Sequence, residues 1–211
     1  MDINSNYAYA THQPLIRAAI ECYAPKFALE LGTGDYSTPV FTEYDLQLLS
    51  IENDGEWIEY VKSKYGLADI LYRNLGDIKI GTELGEFTDI QKAEIINFYD
   101  TLEIPELKPN LLFVDQFTSC RALSVNSLKE KFDLIIYHDC ESAGFAHFSY
   151  DHIKDDGFNK YFLKSPLSWT CLMISKDKDK GYEELSNKIQ PYISEFKMEY
   201  SLGYMELTNK Y

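Results

Sequence analysis

Nowhere does an apolar run approach the roughly 18 residues that a membrane-spanning helix needs, so no conventional span is expected. The opening residues Met1-Asp2-Ile3-Asn4-Ser5 carry neither a basic nor an apolar stretch, so no signal peptide is expected either. Cysteine is scarce and scattered: Cys22, Cys120, Cys140 and Cys171 form no CxxC pair. That excludes a disulfide scaffold or a cysteine zinc site and points to a reduced, cytoplasmic protein. Basic residues are also few, with 20 Lys plus Arg against 34 Asp plus Glu and a net charge of −14. Such a field repels phosphate backbones, so neither a nucleic acid nor a membrane is expected as a partner. The one basic stretch, Lys176–Lys180, is interleaved with Asp177 and Asp179 and reads as a solvated turn. Repeats, low-complexity tracts and Gly/Ser linkers are missing, and 211 residues suit a single domain. What the chain does have is aromatic bulk, 17 Tyr and 12 Phe in a 45% hydrophobic composition. A globule of this size buries about 70% of its unfolded surface.

Hydrophobic periodicity predicts an alternating pattern of strands and helices. A leading helix spans Thr11–Cys22, with Thr11 as cap and Pro25 as stop. Strands follow at Phe27–Leu31, Leu46–Glu52, Ala68–Tyr72, Asn110–Asp115 and Asp133–Asp139. The helices between them run from Ser37 to Tyr44, Asp54 to Tyr65, Ile90 to Tyr99 and Leu123 to Phe132. This is the signature of βαβ crossovers and a parallel sheet. Beyond Cys140 the pattern changes: Gly144–Tyr150 reads as a loop, and Phe158–Leu163 and Trp169–Ser175 as an antiparallel pair. A helix at Tyr182–Gln190 and an extended segment at Glu199–Leu207 come last. The expected fold is α/β: a Rossmann-like, doubly wound, mostly parallel seven-stranded sheet with an antiparallel C-terminal strand pair.

The densest signal is Leu29-Glu30-Leu31-Gly32-Thr33-Gly34-Asp35-Tyr36-Ser37-Thr38, set between a strand and a helix. Glycines there allow positive φ and close approach of a ligand to the backbone, and the helix start offers unpaired N–H donors. Gly32 and Gly34 can also make no more than a tight turn. Glu52 ends the next strand, where an acid can accept hydrogen bonds from both ribose hydroxyls of a nucleoside; surface acid or helix cap is the plainer alternative. Glu30 can bind a ligand ammonium or pair with a structural lysine. A dinucleotide fingerprint wants a third glycine, where this chain has Ser37, with Pro39 two residues on. A carboxylate before the glycines suits a cofactor with a free α-amino group. S-adenosylmethionine has one and NAD has none.

These residues resemble a known family. Leu-Glu-Leu-Gly-Thr-Gly with Ser37-Thr38 resembles motif I of class I S-adenosylmethionine-dependent methyltransferases. Ser50-Ile51-Glu52-Asn53, with Trp57 after it, resembles the acid at the end of their second strand. Phe113-Val114-Asp115 and Tyr137-His138-Asp139 resemble the fourth- and fifth-strand signatures of a small-molecule branch, and Thr11–Leu15 its leading helix. The resemblance covers Tyr9 to Glu141. It implies a leading segment 1–24, a cofactor-binding core 25–141 and a substrate-side, sheet-completing segment 142–211. It also implies that Glu30, Gly32, Thr33, Gly34 and Ser37 cradle the methionine part of S-adenosylmethionine. Glu52 would hold the ribose, Asn53 would lie beside the adenine, and Asp115 would face the cofactor or the reacting methyl. Two departures stand out. Gln116 replaces a common glycine, which bears on substrate access, and nothing after Cys140 matches.

Methyl transfer to an alcohol needs a proton removed, and Asp115, His138 and Asp139 end strands where open α/β sheets bind ligands. Strand alternation sends His138 and Asp139 to opposite sides, so only one is expected in the site. For His138 a buried, hydrogen-bonded role is the default, and His12 is expected on the helix surface. Asp115, Asp139 and Glu141 can offer magnesium an oxygen site, as in some relatives, but carboxylates cluster readily in so acidic a chain and no metal is assigned. Tyr7, Tyr9, Tyr36 and Phe145 can line a sulfonium pocket by cation–π contact, with core packing as the default. The expected activity is methyl transfer to an O or N atom of a small molecule, a sugar being one candidate. An NAD-dependent oxidoreductase and a non-catalytic Rossmann-like partner subunit are the alternatives.

Overall fold

The sheet is built outward from its middle. In the computed structural model, which describes residues 9–66, 70–73, 87–116, 121–141 and 147–211, β1 (Phe27–Leu31) is buried along its whole length. It pairs in parallel with β2 (Gln47–Glu52) on one side and β4 (Asn110–Val114) on the other. β3 (Ile70–Tyr72) extends the sheet beyond β2, and β5 (Leu134–His138) beyond β4. β7 (Thr170–Ser175) then runs antiparallel to β5, β6 (Phe158–Lys164) antiparallel to β7, and β8 (Glu206–Thr208) antiparallel to β6. The order is β3-β2-β1-β4-β5-β7-β6-β8. The predicted fold class therefore stands, with one correction: among the described residues the sheet has eight strands rather than seven. The extra one condenses from the predicted extended tail, because Glu206–Thr208 finds the free edge of β6.

Alternation along the central strands splits the core into two layers. Ala28, Leu111, Phe113, Leu134 and Ile136 face α1 (Gln13–Tyr23) and α6 (Tyr182–Glu199). Leu29, Leu112, Val114, Ile135 and Tyr137 face α4 (Asp89–Thr101) and α5 (Arg121–Leu128). Continuous apolar runs in the sequence are thus strands buried on both faces. Of the described helices, none is long and apolar enough to cross a membrane.

Local chemistry sets the ends. α3 (Gly55–Tyr65) starts where the Asp54 carboxylate accepts from the Glu56 and Trp57 N–H groups, and stops at Gly66 with φ +68°. α4 opens on a reciprocal capping box between Thr88 and Gln91. α6 corrects the predicted end at Gln190. It continues nine residues to Glu199 through Pro191, because Leu185, Ile189, Ile193 and Phe196 keep one apolar stripe against α1. That burial outweighs the hydrogen bond proline cannot make. Thr11 is not the cap of α1; His12 occupies that position, and the Thr11 hydroxyl goes elsewhere. Tyr7, Ala68, Cys120, Phe145 and residues 144–146 of the predicted loop lie outside the described residues.

Leu112 is fully buried at the centre of β4. Replacing it with alanine is expected to lower unfolding free energy by about 2–5 kcal/mol, read from urea denaturation.

Candidate functional site

β1 has β2 on one side and β4 on the other, so the crossovers leaving it run in opposite directions and open a crevice at its carboxyl end. A cleft of about 430 Å³ lies there. Its floor is the Gly32–Ser37 loop. Gly32 has φ +90°, and a Cβ on it would lie 2.7 Å from the Gln116 backbone. Both the dihedral and the approach of β4 therefore demand glycine. The Trp57 indole N–H donates to the Thr33 carbonyl at 2.8 Å, pinning the loop to α3. At the far end Asp35 pairs with Lys64 at 3.0 Å and accepts from the Tyr65 hydroxyl at 2.9 Å.

Glu52 forms one wall. Its Oε2 accepts from the Thr33 N–H at 3.1 Å, and its Oε1 from the Asn53 and Asp54 N–H groups at 2.6 and 3.2 Å. Burial pushes its pKa up even so, against those donors. Glu30 sits below the loop and fully buried. No lysine among the described residues pairs with it: its partners are the hydroxyls of Ser37 (2.6 Å), Thr38 (2.9 Å) and Ser50 (2.6 Å). Burial raises its pKa to about 7, although the hydroxyl donors favour the ionised form. Thr38 also accepts the Gly34 N–H at 3.0 Å, so the carboxyl braces loop, β2 and α2 (Thr38–Thr42) together.

The opposite wall holds a charge cluster. Arg121, at the start of α5, donates from Nη2 to Asp115 at 3.0 Å and from Nη1 to Asp139 at 3.0 Å. Its remaining N–H groups reach the carbonyls of Gln116, His138 and Asp115, and its guanidinium lies 4.0 Å over the Phe148 ring. His138 Nδ1 stands 3.4 Å from both Asp115 and Asp139. The Ser168 hydroxyl donates its only proton to Asp139 at 2.8 Å. Its oxygen must then accept from His138 Nε2 at 3.0 Å, and the Thr11 hydroxyl meets that nitrogen at 2.9 Å. Burial disfavours a charged His138, but Asp139 and Asp115 more than offset it and raise its pKa. Burial would raise Asp115, but His138 and Arg121 hold it well below the usual carboxylate range.

Seven of the predicted residues line the cleft: Gly32, Thr33, Gly34, Ser37, Glu52, Asn53 and Asp115. Tyr9 and Tyr36 line it as well, whereas Glu30, His138 and Asp139 stand behind its walls. The alternation argument for His138 and Asp139 fails because Asp139, just past β5, has φ +59°. That left-handed turn swings its carboxylate back beside the imidazole. Asp115 and Asp139 share Arg121 rather than gathering with Glu141, whose carboxylate accepts the Trp169 N–H at 3.1 Å. Gln116 turns its amide to Tyr99 and Ser124, so its bearing on the cleft is through its backbone. His12 is a further correction: it is buried at the cleft, 4.8 Å from the His138 ring and 5.0 Å from Phe113. Burial, with His138 beside it, pushes its pKa down to about 3. Sequence reading missed Arg121 altogether. Its one signal was a cation opening a helix just after the Asp115 strand.

No family model and no curated protein sequence matches the chain. Solved structures do. The N-methyltransferase NodS from Bradyrhizobium japonicum WM9 superposes with a TM-score of 0.52 at 11% identity, over 83% of this chain and 99% of that one. Human methyltransferase-like protein 13, solved in complex with SAH, gives 0.51 at 11% identity over 93% of each chain. The chain has the Rossmann-like fold of these methyltransferases.

Two outcomes are expected. Gly32→Ala should destabilise the protein by about 2–4 kcal/mol in thermal or chemical unfolding, since the methyl meets backbone on a strained dihedral. Glu30 keeps its proton in the folded chain up to about pH 7, while the unfolded chain loses it near the ordinary value of 4.5. The unfolded state then binds fewer protons in that window, so stability falls as pH rises, by up to about 1.4 kcal/mol per unit. Glu30→Gln should flatten that slope in melting curves taken across the window.

Proposed function

We propose that this chain is an S-adenosylmethionine-dependent methyltransferase that acts on an O or N atom of a small molecule. The observation that carries the reading is the cleft itself. A glycine loop that tolerates no Cβ at Gly32, an acid closing the neighbouring strand and an acid closing β4 converge on one crevice at the sheet's switch point. Gly32, Thr33, Gly34 and Ser37 would take the methionine part, Glu52 the ribose hydroxyls and Asn53 the adenine edge. Glu30 acts through the loop it braces rather than by touching the ligand. The cofactor, when bound, supplies a methyl already activated by a sulfonium charge, so the protein's tasks are alignment and proton handling.

Asp115 is the proton-handling group that reaches the cleft. Ionised, it can accept a hydrogen bond from an acceptor hydroxyl or amine at its carboxylate oxygens and so orient it; with its pKa held low by His138 and Arg121 it aligns the acceptor rather than keeping its proton. His138 and Asp139 are positioning residues: His138 Nδ1 and Arg121 fix the Asp115 carboxylate, and Asp139 shares the Arg121 charge. A sugar hydroxyl remains the acceptor candidate that the family resemblance brings. The net charge of −14 argues against a nucleic-acid substrate. The unpaired Cys22, Cys140 and Cys171 fit a cytoplasmic setting.

Calorimetric titration with S-adenosylmethionine and S-adenosylhomocysteine, with NAD alongside, tests the reading. Micromolar binding of both adenosyl compounds is expected, weakened by about ten- to a hundredfold in Glu52→Gln. Preferential binding of NAD would move the chain to the oxidoreductases. Binding of none of the three would leave a partner-subunit role.

A further inference from the structure

His12 has an unusual place. It is 1% exposed, yet neither ring nitrogen makes a hydrogen bond of ordinary length, the Tyr36 backbone carbonyl touching it only weakly. A buried imidazole left so is costly, and polar groups in interiors are otherwise paired. Its Nδ1 points toward Asp115 Oδ2 at 4.0 Å, too far for a hydrogen bond. On the other side of Asp115, His138 Nδ1 lies 3.4 Å from Oδ1. Ligand atoms from all three residues fall within 4.8 Å of one another.

We propose that His12, Asp115 and His138 form a binding site for a divalent transition metal, zinc above all, at the wall of the cleft. Zinc sits about 2.0–2.2 Å from imidazole nitrogen and carboxylate oxygen, so two ligands of a tetrahedral site stand about 3.3–3.6 Å apart. The 4.0 Å gap between His12 and Asp115 is too wide for a direct hydrogen bond and lies about half an ångström beyond that spacing, a distance a small side-chain rotation closes around an ion. Two imidazoles and one carboxylate are a donor set for zinc or a late first-row metal rather than for magnesium or calcium, which take oxygen ligands. The tautomer agrees. Ser168 gives its proton to Asp139 and so accepts from His138 Nε2, leaving Nδ1 as the nitrogen for the metal. Metal-bound histidines are usually oriented this way by a partner on the second nitrogen.

The three ligands come from the cap of α1 and the ends of β4 and β5, which only the tertiary fold brings together. Arg121 occupies Asp115 Oδ1, so the Oδ2 side that faces His12 is the one open to an ion. His12 and Asp115 border the cleft, which leaves the fourth position facing it, the arrangement of zinc sites that accept an exogenous ligand. This site differs from an all-carboxylate magnesium site in its ligands, its metal and its dependence on α1. It does not rest on the methyl-transfer reading.

The test is zinc binding, measured without reference to activity. Protein stripped by a chelator is titrated with zinc against a chromophoric indicator, and cobalt(II) is then added in its place. Wild type should bind one equivalent and give the visible d–d bands of a low-symmetry nitrogen–oxygen site. His12→Gln should weaken zinc binding by about a hundredfold or more, and Thr11→Val, which removes the hydroxyl at the outer nitrogen of His138, by about tenfold. Circular dichroism before titration checks that each variant is folded, and the wild-type cobalt spectrum stands whether or not a variant folds. His147 and His152, the other two histidines, are exposed and serve as controls. Absence of zinc binding in wild type, equal binding by His12→Gln, or loss only on replacing His147 and His152 would overturn the proposal. S-adenosylhomocysteine titration of the same metal-free protein keeps this result separate from the cofactor question.

Discussion

The Glu30 carboxyl is buried at the end of β1, where the sheet divides, with hydroxyls of Ser37, Thr38 and Ser50 turned onto it. Everything that faces the cleft from below hangs on this contact. A buried carboxyl without partners would be untenable, and one with three donors fixes three segments at once. The loop cannot lift without exposing it, α2 cannot shift without losing Thr38, and β2 is tied in through Ser50. Gly32 completes the constraint from the other side by letting the Gln116 backbone come within reach. The loop is therefore held in shape by the protein alone.

The opposite wall is organised by charge rather than by hydroxyls. Two carboxylates, Asp115 and Asp139, face the Arg121 guanidinium and the His138 imidazole, whose pKa they raise, within a partly buried volume. Removing any one member would strand an opposite charge in a medium that screens poorly. Arg121 is suited to the centre because its planar fork reaches both carboxylates and three carbonyls together, which a lysine could not do. His12 alone among these side chains stands outside the hydrogen-bond network.

Much of the fold was legible because its strongest determinants are local. β1, β4 and β5 are mostly apolar runs, β1 stopped by Gly32, β4 by Asp115 and β5 at His138, and their lengths leave little choice of register. The glycine loop and Glu52 were readable from spacing alone. The misreadings share a cause, which is that side-chain partners lie far away in sequence. Thr11 looked like a cap until the fold set His138, 127 residues on, against it. Asp139 obeyed pleat alternation on paper, but a single left-handed residue cancels that rule. Glu30 offered no hint of serine and threonine partners. Pro191 argued for a helix end, and only the α1 surface opposite explains why the helix continues.

That surface has a consequence for the order in which the molecule is made. α1 carries His12 and leads from Thr11 into the cleft wall, and its apolar stripe is covered by Leu185, Ile189, Ile193 and Phe196 of α6. Those residues emerge from the ribosome long after β1 to β5 are available to pair. Until then the first helix has only the sheet beneath it, and the wall it contributes is half covered. The glycine loop can take shape early in synthesis, but the cleft is closed on that side only once α6 has followed.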